Sequence, residues 1–189
     1  MLAGGSSRRM GTDKAALLVD GQTQLERTVT LLQAQVEQVF VSTRADQAGD
    51  ELRGGFFTLE DRYSDLGPLA GILTALESTP EEAWLVVACD LPRLDALSIR
   101  HLLDNCATDA IATAFRSEHD GLPEPLCAVW QPTATNAIHA AMAQGRTCPR
   151  KILIVNDAHL LSPISQGALD NANTPDDLER ITGEALSCN

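Results

Sequence analysis

The sequence has few of the patterns that define disulfide-rich, zinc-binding or membrane proteins. Its 189 residues include only five cysteines, widely spaced and without a C-x-x-C pair. An odd number of isolated cysteines argues against a disulfide framework and against a zinc site. The chain also has no apolar run of membrane-spanning length and no signal-peptide core at its start. We therefore expect reduced thiols, with Cys89 and Cys127 buried in apolar runs, a cytoplasmic location and no membrane contact.

Basic residues are also scarce. Lys and Arg total 14 against 26 Asp and Glu, so the formal net charge is −12. Such an acidic surface repels polyanions, and we expect no nucleic-acid partner. The proportions of hydrophobic residues (44%) and charged residues (21%) are ordinary for a globular protein. A chain of this length suits one domain with a continuous core, and we expect a single domain over residues 1–189.

Apolar runs of strand length alternate with helical patterns through most of the chain. This alternation predicts an α/β fold with three layers and a mainly parallel, mixed central sheet. The expected strands cover residues 39–43, 56–59, 84–88, 110–114 and 127–130, with a short one near 152–155. The expected helices cover residues 24–35, 71–77, 98–103, 134–143 and 176–181. Thr174 and Pro175 are expected to be the N-cap and first residue of the last helix.

The most informative segment is residues 2–14, which read Leu-Ala-Gly-Gly-Ser-Ser-Arg-Arg-Met-Gly-Thr-Asp-Lys. Glycines let the backbone approach an anion closely, successive N–H groups form an anion-binding nest, and a following helix N-terminus adds partial positive charge. Arg8, Arg9 and Lys14 add full charges. The segment fits neither the P-loop pattern nor the Rossmann glycine pattern. It predicts a triphosphate-binding loop, and the alternative is a plain surface loop between a strand and a helix.

The chain begins unusually close to this segment. Only Met1 and Leu2 remain to form a first strand, whereas strands usually contain about 5 to 6 residues. We therefore expect that the natural product begins several residues earlier or that an upstream segment has been removed.

Two carboxylates follow expected strands. Asp90 follows the apolar run at 84–88, and ligands bind at the carboxyl ends of such strands. Because Mg²⁺ prefers carboxylate and phosphate oxygens, Asp90 is a candidate metal ligand; the alternative is a helix cap or turn residue. Asp61 follows the run at 56–59, and the small residues of Gly67–Gly71 would permit backbone contact with a base or ribose. The alternative there is a polar loop before a glycine-rich helix start.

Two further segments are candidates for the acceptor side of a site. Asn171 and Asn173 are spaced i, i+2, so in an extended segment both amides point the same way and can face one ligand or one metal; the alternative for Asn173 is a turn residue before the capped helix. Prolines on both sides of Glu124 predict a stiff loop that forms one wall of an acceptor pocket, or simply a rigid edge connection. Three nearby cations are candidates for an acceptor phosphate, although solvated surface cations are the commoner case: Arg146, Arg150 and Lys151.

In their order, these segments resemble the molybdenum cofactor guanylyltransferases, a branch of the nucleotidyltransferases. The first loop matches the signature L-A-G-G-x-S-x-R-M-G-x-D-K almost letter for letter, and the other matching segments are residues 67–71, 89–92 and 171–175. The resemblance extends from Leu2 to about Leu178. It implies a Rossmann-like nucleotidyltransferase domain that transfers GMP from GTP to molybdopterin and releases pyrophosphate. It also implies Mg²⁺ as cofactor and transient contact with a molybdoenzyme or other cofactor-biosynthesis proteins.

The residues and the resemblance together predict the members of the site. We expect Lys14, Arg8 and Asp90 to be catalytic, with Asp90 as the Mg²⁺ ligand. We expect Asn171, Asn173, Glu124 and Arg150 to bind the acceptor or to complete the active site. The expected nucleotide-binding residues are Leu2, Ala3, Gly4, Gly5, Ser6, Arg9, Lys14, Asp61, Gly67, Pro68 and Leu69.

Two alternatives to this function stay open from the sequence. Relatives that use CTP or make sugar nucleotides usually read Leu-Ala-Ala-Gly in the first loop, so the second glycine of this chain favours GTP over CTP. A non-catalytic module that binds nucleotide or pterin for delivery would keep the loop but could lose the carboxylates at 61 and 90. The family often has His-Pro where this chain has Glu124-Pro125, a difference that concerns the acceptor rather than the donor.

Overall fold

The computed structural model describes residues 1–3, 13–19, 21–47, 49–172 and 174–183. Within these ranges no helix is long and apolar enough to cross a membrane. Several predicted site residues lie outside the described residues: Gly4, Gly5, Ser6, Arg8, Arg9 and Asn173.

Helices and strands alternate along the chain as the apolar pattern predicts. The helices are α1 (Gln24–Gln33), α2 (Glu51–Gly54), α3 (Pro68–Ser78), α4 (Ala96–Asp104), α5 (Ala134–Met142), α6 (Pro149–Val155) and α7 (Pro175–Thr182). The strands are β1 (Leu18–Val19), β2 (Gln22–Thr23), β3 (Val41–Thr43), β4 (Thr58–Glu60), β5 (Trp84–Val87), β6 (Ala112–Arg116), β7 (Pro123–Trp130) and β8 (His159–Leu161). Short 3₁₀-helices cover Lys14–Ala16 and Ala45–Gln47.

The central sheet is mixed, as predicted, and Leu2 lies in its middle. Leu2 bridges β3 and β5, parallel to both, through Ser42 and Ala88. On one side β3 pairs with β4 in parallel. On the other side the order is β5, β7, β6, β8, with β7 antiparallel to both neighbours and β8 parallel to β6. Most neighbouring pairs of this sheet are therefore parallel, and β7 is the reversed strand.

Helices cover both faces of the sheet, which gives the expected three layers. One buried cluster includes residues of α1 and α4, such as Leu25 and Ile99, with Val87 of the sheet. The other includes residues of α3, α5 and α6 around Trp130. Burial of apolar side chains on both faces explains why the strands read as nearly continuous hydrophobic runs.

The caps predicted for the last helix are present. The hydroxyl of Thr174 accepts from the N–H of Asp177, and the Asp177 carboxylate accepts from the N–H of Thr174, both at 3.0 Å. Pro175 is the first residue of α7. This reciprocal pair satisfies two donors that the first helical turn leaves unpaired.

The described cysteines agree with the expectation of free thiols. Cys89, Cys106, Cys127 and Cys148 form no disulfide. Cys89 and Cys127 are buried as predicted, and burial raises the pKa of each thiol to about 12. Both thiols are therefore protonated at neutral pH.

Two predicted elements are wrong. The segment near 152–155 is not a strand but the end of α6, where Ile152 and Leu153 are buried and Ile154 and Val155 are exposed. A pattern of two buried residues followed by two exposed ones is typical of a helix. A run of four residues is too short to distinguish the helical period from the strand period in the sequence. The segment before residue 127 is also not a loop, since β7 already begins at Pro123.

Of the two prolines of β7, Pro123 is the first residue of the strand, and Pro125 lies at an irregularity of the strand pairing. Phe115 pairs with Glu124, but the adjacent Ala114 pairs with Ala128, so residues 125–127 are extra on the β7 side of that pairing. A proline lacks the N–H that regular pairing needs and is tolerated at such bulges. The sequence prediction also missed β8, α2 and the β1–β2 hairpin.

Candidate active site

The topology brings Asp61, Asp90 and Glu124 to one edge of the sheet. Asp61 directly follows β4, and Asp90 lies three residues after β5. Parallel strands present their carboxyl ends at the same edge. Because β7 runs the opposite way, its first residues, including Glu124, reach this edge as well. Donor and acceptor candidates that are distant in sequence therefore lie beside one another.

Asp90 is held between two predicted partners. The Nζ atom of Lys14 lies 3.2 Å from Oδ2 of Asp90, and the side-chain amide of Asn171 donates to Oδ1 at 3.0 Å. The backbone N–H of Ala172 also donates to the Asp90 carbonyl at 3.0 Å. Asp95, and not Asp90, caps the following helix α4. Asp90 thus meets a cation and an amide, rather than a helix end.

A short 3₁₀-helix sets the position of Lys14. The carboxylate of Asp13 accepts from the N–H of Ala15 at 3.0 Å and so caps this helix. Oδ2 of the same carboxylate meets Nη2 of Arg53 at 2.6 Å. The residue before Lys14 is therefore tied to α2.

A second group of residues surrounds Asp61. The hydroxyl of Ser42 donates to Oδ1 of Asp61 at 2.7 Å, and the N–H of Asp61 donates to the carbonyl of Thr43 at 2.8 Å. Burial raises the pKa of the Asp61 carboxyl, while the Ser42 hydrogen bond acts in the opposite direction. This half-buried carboxyl is a hydrogen-bonding group with limited access to water.

Gly71 is required by the close packing of this group. A Cβ atom at Gly71 would lie 2.5 Å from Oγ of Ser42, 2.6 Å from a methyl of Leu2 and 3.3 Å from Oδ1 of Asp61. Helix α3 can approach the central strand and Asp61 only because residue 71 has no side chain.

Helix α3 begins at a Gly-Pro pair, three residues earlier than expected. Gly67 has a φ of +56° and precedes α3, whose first residue is Pro68. The φ angle explains why glycine stands at this position. Leu69 is fully buried in the core beneath the site, so its side chain does not face the cleft.

A cavity of about 160 Å³ lies next to Asp90. Its lining includes three predicted acceptor-side residues, Glu124, Arg150 and Asn171. Arg150 donates to Oε2 of Glu124 at 2.9 Å and to Oδ2 of Asp120 at 3.0 Å. Asn171 therefore both contacts Asp90 and lines the cavity, so the two parts of the site share it.

The other candidate cations of this region lie elsewhere. Arg146 and Lys151 line a separate cavity of about 140 Å³ between α5 and α6. The structure thus separates Arg150 from its two neighbours in sequence.

The residues around Asp90 fit a magnesium ion that is held mainly by substrate. Among the described residues no group of three or more His, Cys, Asp or Glu side chains forms a metal cage. Mg²⁺ commonly binds through one or two carboxylates together with substrate phosphates, and so needs no such cage. A carboxylate offers about four lone-pair positions, and the contacts with Lys14 and Asn171 leave others available.

Sequence reasoning missed two residues of this region, Ser42 and Arg53. Ser42 could have been noticed as a polar residue in an apolar strand. In the structure it is buried, with 6% of its surface exposed. Arg53 follows no recognisable motif, and its position depends on the packing of α2 against residues 3 and 13.

Comparison of the sequence with known proteins identifies a family and close relatives. The family model described as the MobA-like NTP transferase domain matches residues 1–160. A molybdenum cofactor biosynthesis bifunctional protein from Synechocystis is 38% identical over 96% of this chain. The chain spans 52% of that longer protein. A molybdenum cofactor guanylyltransferase from a Shewanella species is 31% identical, over 97% of this chain and 94% of its own length.

Comparison of structures confirms the fold. The molybdopterin-guanine dinucleotide biosynthesis protein A from Archaeoglobus fulgidus superposes with a TM-score of 0.77. The match covers 96% of this chain and 95% of the other, at 23% identity. At that identity the likeness establishes the Rossmann-like nucleotidyltransferase fold.

Proposed function

The chain belongs to the MobA-like NTP transferase family, and we propose that it transfers GMP from GTP to molybdopterin, releasing pyrophosphate. The observation that carries the proposal is the position of Asp90. This carboxylate contacts Lys14, the last residue of the predicted triphosphate-binding segment, and Asn171, which lines the adjacent cavity. A donor nucleotide and an acceptor can therefore meet beside it.

The reaction requires little covalent chemistry from the protein. An oxygen of the terminal phosphate of molybdopterin attacks the α-phosphorus of GTP and forms a new P–O bond. The bond between the α-phosphorus and the oxygen that bridges to the β-phosphate breaks, and pyrophosphate leaves with that oxygen. The protein accelerates such a transfer by positioning the two phosphates and balancing their charge.

Lys14 and Asp90 supply the charges on the donor side. We propose that the ammonium of Lys14 binds the triphosphate and offsets the negative charge of the leaving pyrophosphate. Asp90 is the side chain that would hold Mg²⁺ together with phosphate oxygens. When bound there, the ion would supply Lewis-acid stabilisation of the phosphate charge.

The nucleoside side of the site is proposed to lie at Asp61. Its half-buried carboxyl accepts a hydrogen bond from Ser42 and has remaining acceptor positions for N–H or hydroxyl donors of guanosine. Gly67 and Gly71 have no side chains, so the backbone at the start of α3 can lie close to Asp61. We propose that Leu2, Ala3, Pro68 and the backbone of Leu69 complete this surface.

The acceptor is proposed to occupy the cavity lined by Glu124, Arg150 and Asn171. An arginine suits a phosphate, because its planar guanidinium can donate two hydrogen bonds to it. In this chain Arg150 is bracketed by the carboxylates of Glu124 and Asp120. The arrangement allows a phosphate to replace at least one carboxylate as the partner of Arg150.

We also propose that residues 1–189 act as a single nucleotidyltransferase domain in the cytoplasm. The free thiols of the described cysteines support a reducing compartment. A dinucleotide cofactor has to reach an enzyme that uses it, which supports a transient contact with a molybdoenzyme.

The test is pyrophosphate release by the purified chain with Mg²⁺ and molybdopterin, comparing GTP, CTP, ATP and UTP. Release with GTP alone is the expected result. Release with CTP would instead assign the chain to cytidylyl transfer. Binding of GTP without pyrophosphate release in the presence of acceptor would refute catalysis and favour a delivery module.

A further inference from the structure

A buried arginine of α2 joins the central strand to the residue before Lys14. Only 1% of the Arg53 side chain is exposed. Its Nη2 atom donates to the carbonyl oxygen of Ala3 at 2.8 Å and to Oδ2 of Asp13 at 2.6 Å. Ala3 and Asp13 are the described residues on the two sides of the glycine-rich segment. One guanidinium nitrogen therefore holds both flanks of that segment in fixed relation.

Stability alone is a poor explanation for this arginine. Removing a guanidinium from water carries a large desolvation cost, and apolar replacements of buried ion pairs are often neutral or stabilising. The Nε atom of Arg53 is buried and has no hydrogen-bond partner among the described residues, which adds to that cost. A purely structural link between α2 and the sheet could be made by an aliphatic side chain.

The contacts of Arg53 lead directly to the candidate catalytic lysine. Asp13 accepts from Arg53 and also caps the 3₁₀-helix that begins at Lys14. Nζ of Lys14 in turn lies 3.2 Å from Asp90. Fixing Asp13 therefore fixes the backbone from which the Lys14 ammonium reaches the proposed triphosphate site.

We propose that Arg53 is a positioning residue for triphosphate binding, acting through Asp13 and Lys14 without touching the substrate. The proposal rests on the proposed function, because it assigns the purpose of the link to the triphosphate. We expect the Arg53–Asp13 contact to affect the affinity for triphosphate more than the Arg53–Asp50 ion pair does.

That other ion pair provides a matched control. Asp50 also accepts from Arg53, and like Asp13 it caps a helix, accepting from the N–H of Leu52 at 3.0 Å. The side chains of Asp13 and Asp50 are similarly exposed, at 35% and 30%. Asp13→Asn and Asp50→Asn each keep a capping oxygen and each remove one carboxylate from Arg53. Only Asp13 lies next to Lys14.

The experiment measures the dissociation constants of inorganic triphosphate and of Mg²⁺-GTP for the unsubstituted chain and both variants, together with their melting temperatures. We expect similar small losses of melting temperature in the two variants. We expect Asp13→Asn to raise both dissociation constants about tenfold, the size of one lost charge-assisted contact. We expect Asp50→Asn to change them less than about twofold. Arg53→Met should weaken triphosphate binding at least as much as Asp13→Asn.

Steady-state kinetics adds a readout that a simple loss of stability would not give. We expect kcat/KM for GTP to fall in Asp13→Asn while KM for the acceptor stays near its original value. Equal losses of triphosphate affinity in Asp13→Asn and Asp50→Asn would overturn the positioning role, as would undetectable binding of triphosphate by the unsubstituted chain. Triphosphate binding with the expected difference, but no pyrophosphate release with any acceptor, would refute the proposed transferase function and leave the positioning role supported.

Discussion

Nζ of Lys14 lies 3.2 Å from Oδ2 of Asp90, although 76 residues separate them in sequence. Asn171 contacts the other oxygen of the same carboxylate, at 3.0 Å. Both side chains are only partly exposed, at 24% for Lys14 and 18% for Asp90. The fold thus places a cation beside a candidate metal-binding carboxylate, an arrangement suited to a triphosphate with its magnesium ion.

Replacing Lys14 by alanine tests its role in catalysis. Loss of a positioned cation that stabilises transition-state charge should lower kcat by about 10² or more. The measurement is the steady-state rate of pyrophosphate release with saturating Mg²⁺, GTP and molybdopterin. Turnover close to that of the unsubstituted chain would refute the assignment of Lys14.

Lys151 is the matched control for this substitution because it is the only other lysine of the chain. It is exposed on α6 and lines the separate cavity between α5 and α6. Lys151→Ala removes the same charge from the protein, and we expect it to leave kcat within about twofold, as surface substitutions usually do. A comparable loss in both variants would indicate an effect of net charge rather than of position.

Replacing Gly71 by alanine tests the close packing around Asp61. The added Cβ would come within 2.6 Å of Ser42 and Leu2, both in the central part of the sheet. Overpacking of this kind should lower the free energy of unfolding by about 1–3 kcal/mol. We expect GTP affinity to fall as well, because Ser42 and Asp61 must move.

Gly54 provides the control for the alanine substitution. It lies at the end of α2, and a Cβ there would meet nothing within 4 Å. Gly54→Ala should stabilise the chain by no more than about 1 kcal/mol, because it reduces the freedom of the unfolded state. Denaturant unfolding of both variants measures the difference. Equal stability of the two variants would contradict the packing argument at Gly71.

Much of the fold could be predicted where an element has a regular apolar pattern. Helix α5 and strand β5 have boundaries within one residue of those expected, since their apolar residues recur at the right period over a sufficient length. Short segments could not be assigned in this way. The sequence of the four residues near 152–155 fits the helical period and the strand period equally. Their helical structure is decided by packing against the core cluster around Trp130.

A motif or a strand end identifies most of the residues that the structure brings together, and their roles at the site stay predictions. Asp90, Asn171, Glu124 and Arg150 were all expected near ligand, and the structure places them around one carboxylate and its adjacent cavity. Arg53 could not be found, because its importance comes from contacts 40 and 50 residues away in sequence. Such contacts exist only once α2 is packed against the central strand.

Replacing Asp61 by asparagine should have opposite effects on stability and on binding. Burial raises the pKa of Asp61, so the folded chain retains a proton at pH values where the unfolded chain has lost it. The group therefore favours the folded state at acid pH, and this contribution is lost as the pH rises through the raised pKa. At neutral pH the folded chain carries a poorly solvated charge that asparagine does not have.

The melting temperature measures this effect. We expect the difference between Asp61→Asn and the unsubstituted chain to be more stabilising at pH 7 than near pH 4, because the raised pKa of Asp61 favours the folded chain toward acid pH and this contribution is lost as the pH rises. At pH 7 we also expect KM for GTP to rise about tenfold, the size of a lost hydrogen bond to a charged group. A stability difference that is the same at both pH values would show that burial does not perturb Asp61.

The acceptor cavity leads to a prediction about a pair of residues. Arg150 neutralises Glu124 at the cavity wall through a 2.9 Å contact. Arg150→Ala would leave that carboxylate facing the phosphate of the acceptor, and we expect KM for molybdopterin to rise about tenfold or more with KM for GTP nearly unchanged. Adding Glu124→Gln removes the repelling charge, so the double variant should recover part of the loss.

Separate measurement of the two KM values decides whether this cavity takes the acceptor. Arg146→Ala removes the same charge from the separate cavity between α5 and α6 and should leave both KM values within about twofold. Two outcomes would be incompatible with an acceptor site. One is a rise in KM for GTP alone after Arg150→Ala, and the other is a double variant whose KM for molybdopterin is higher than that of Arg150→Ala. Measurement of Glu124→Gln alone completes the comparison. If Glu124→Gln lowers KM for molybdopterin more in the Arg150→Ala variant than in the unsubstituted chain, Arg150 acts against Glu124 on one bound anion, because residues that act independently have additive effects.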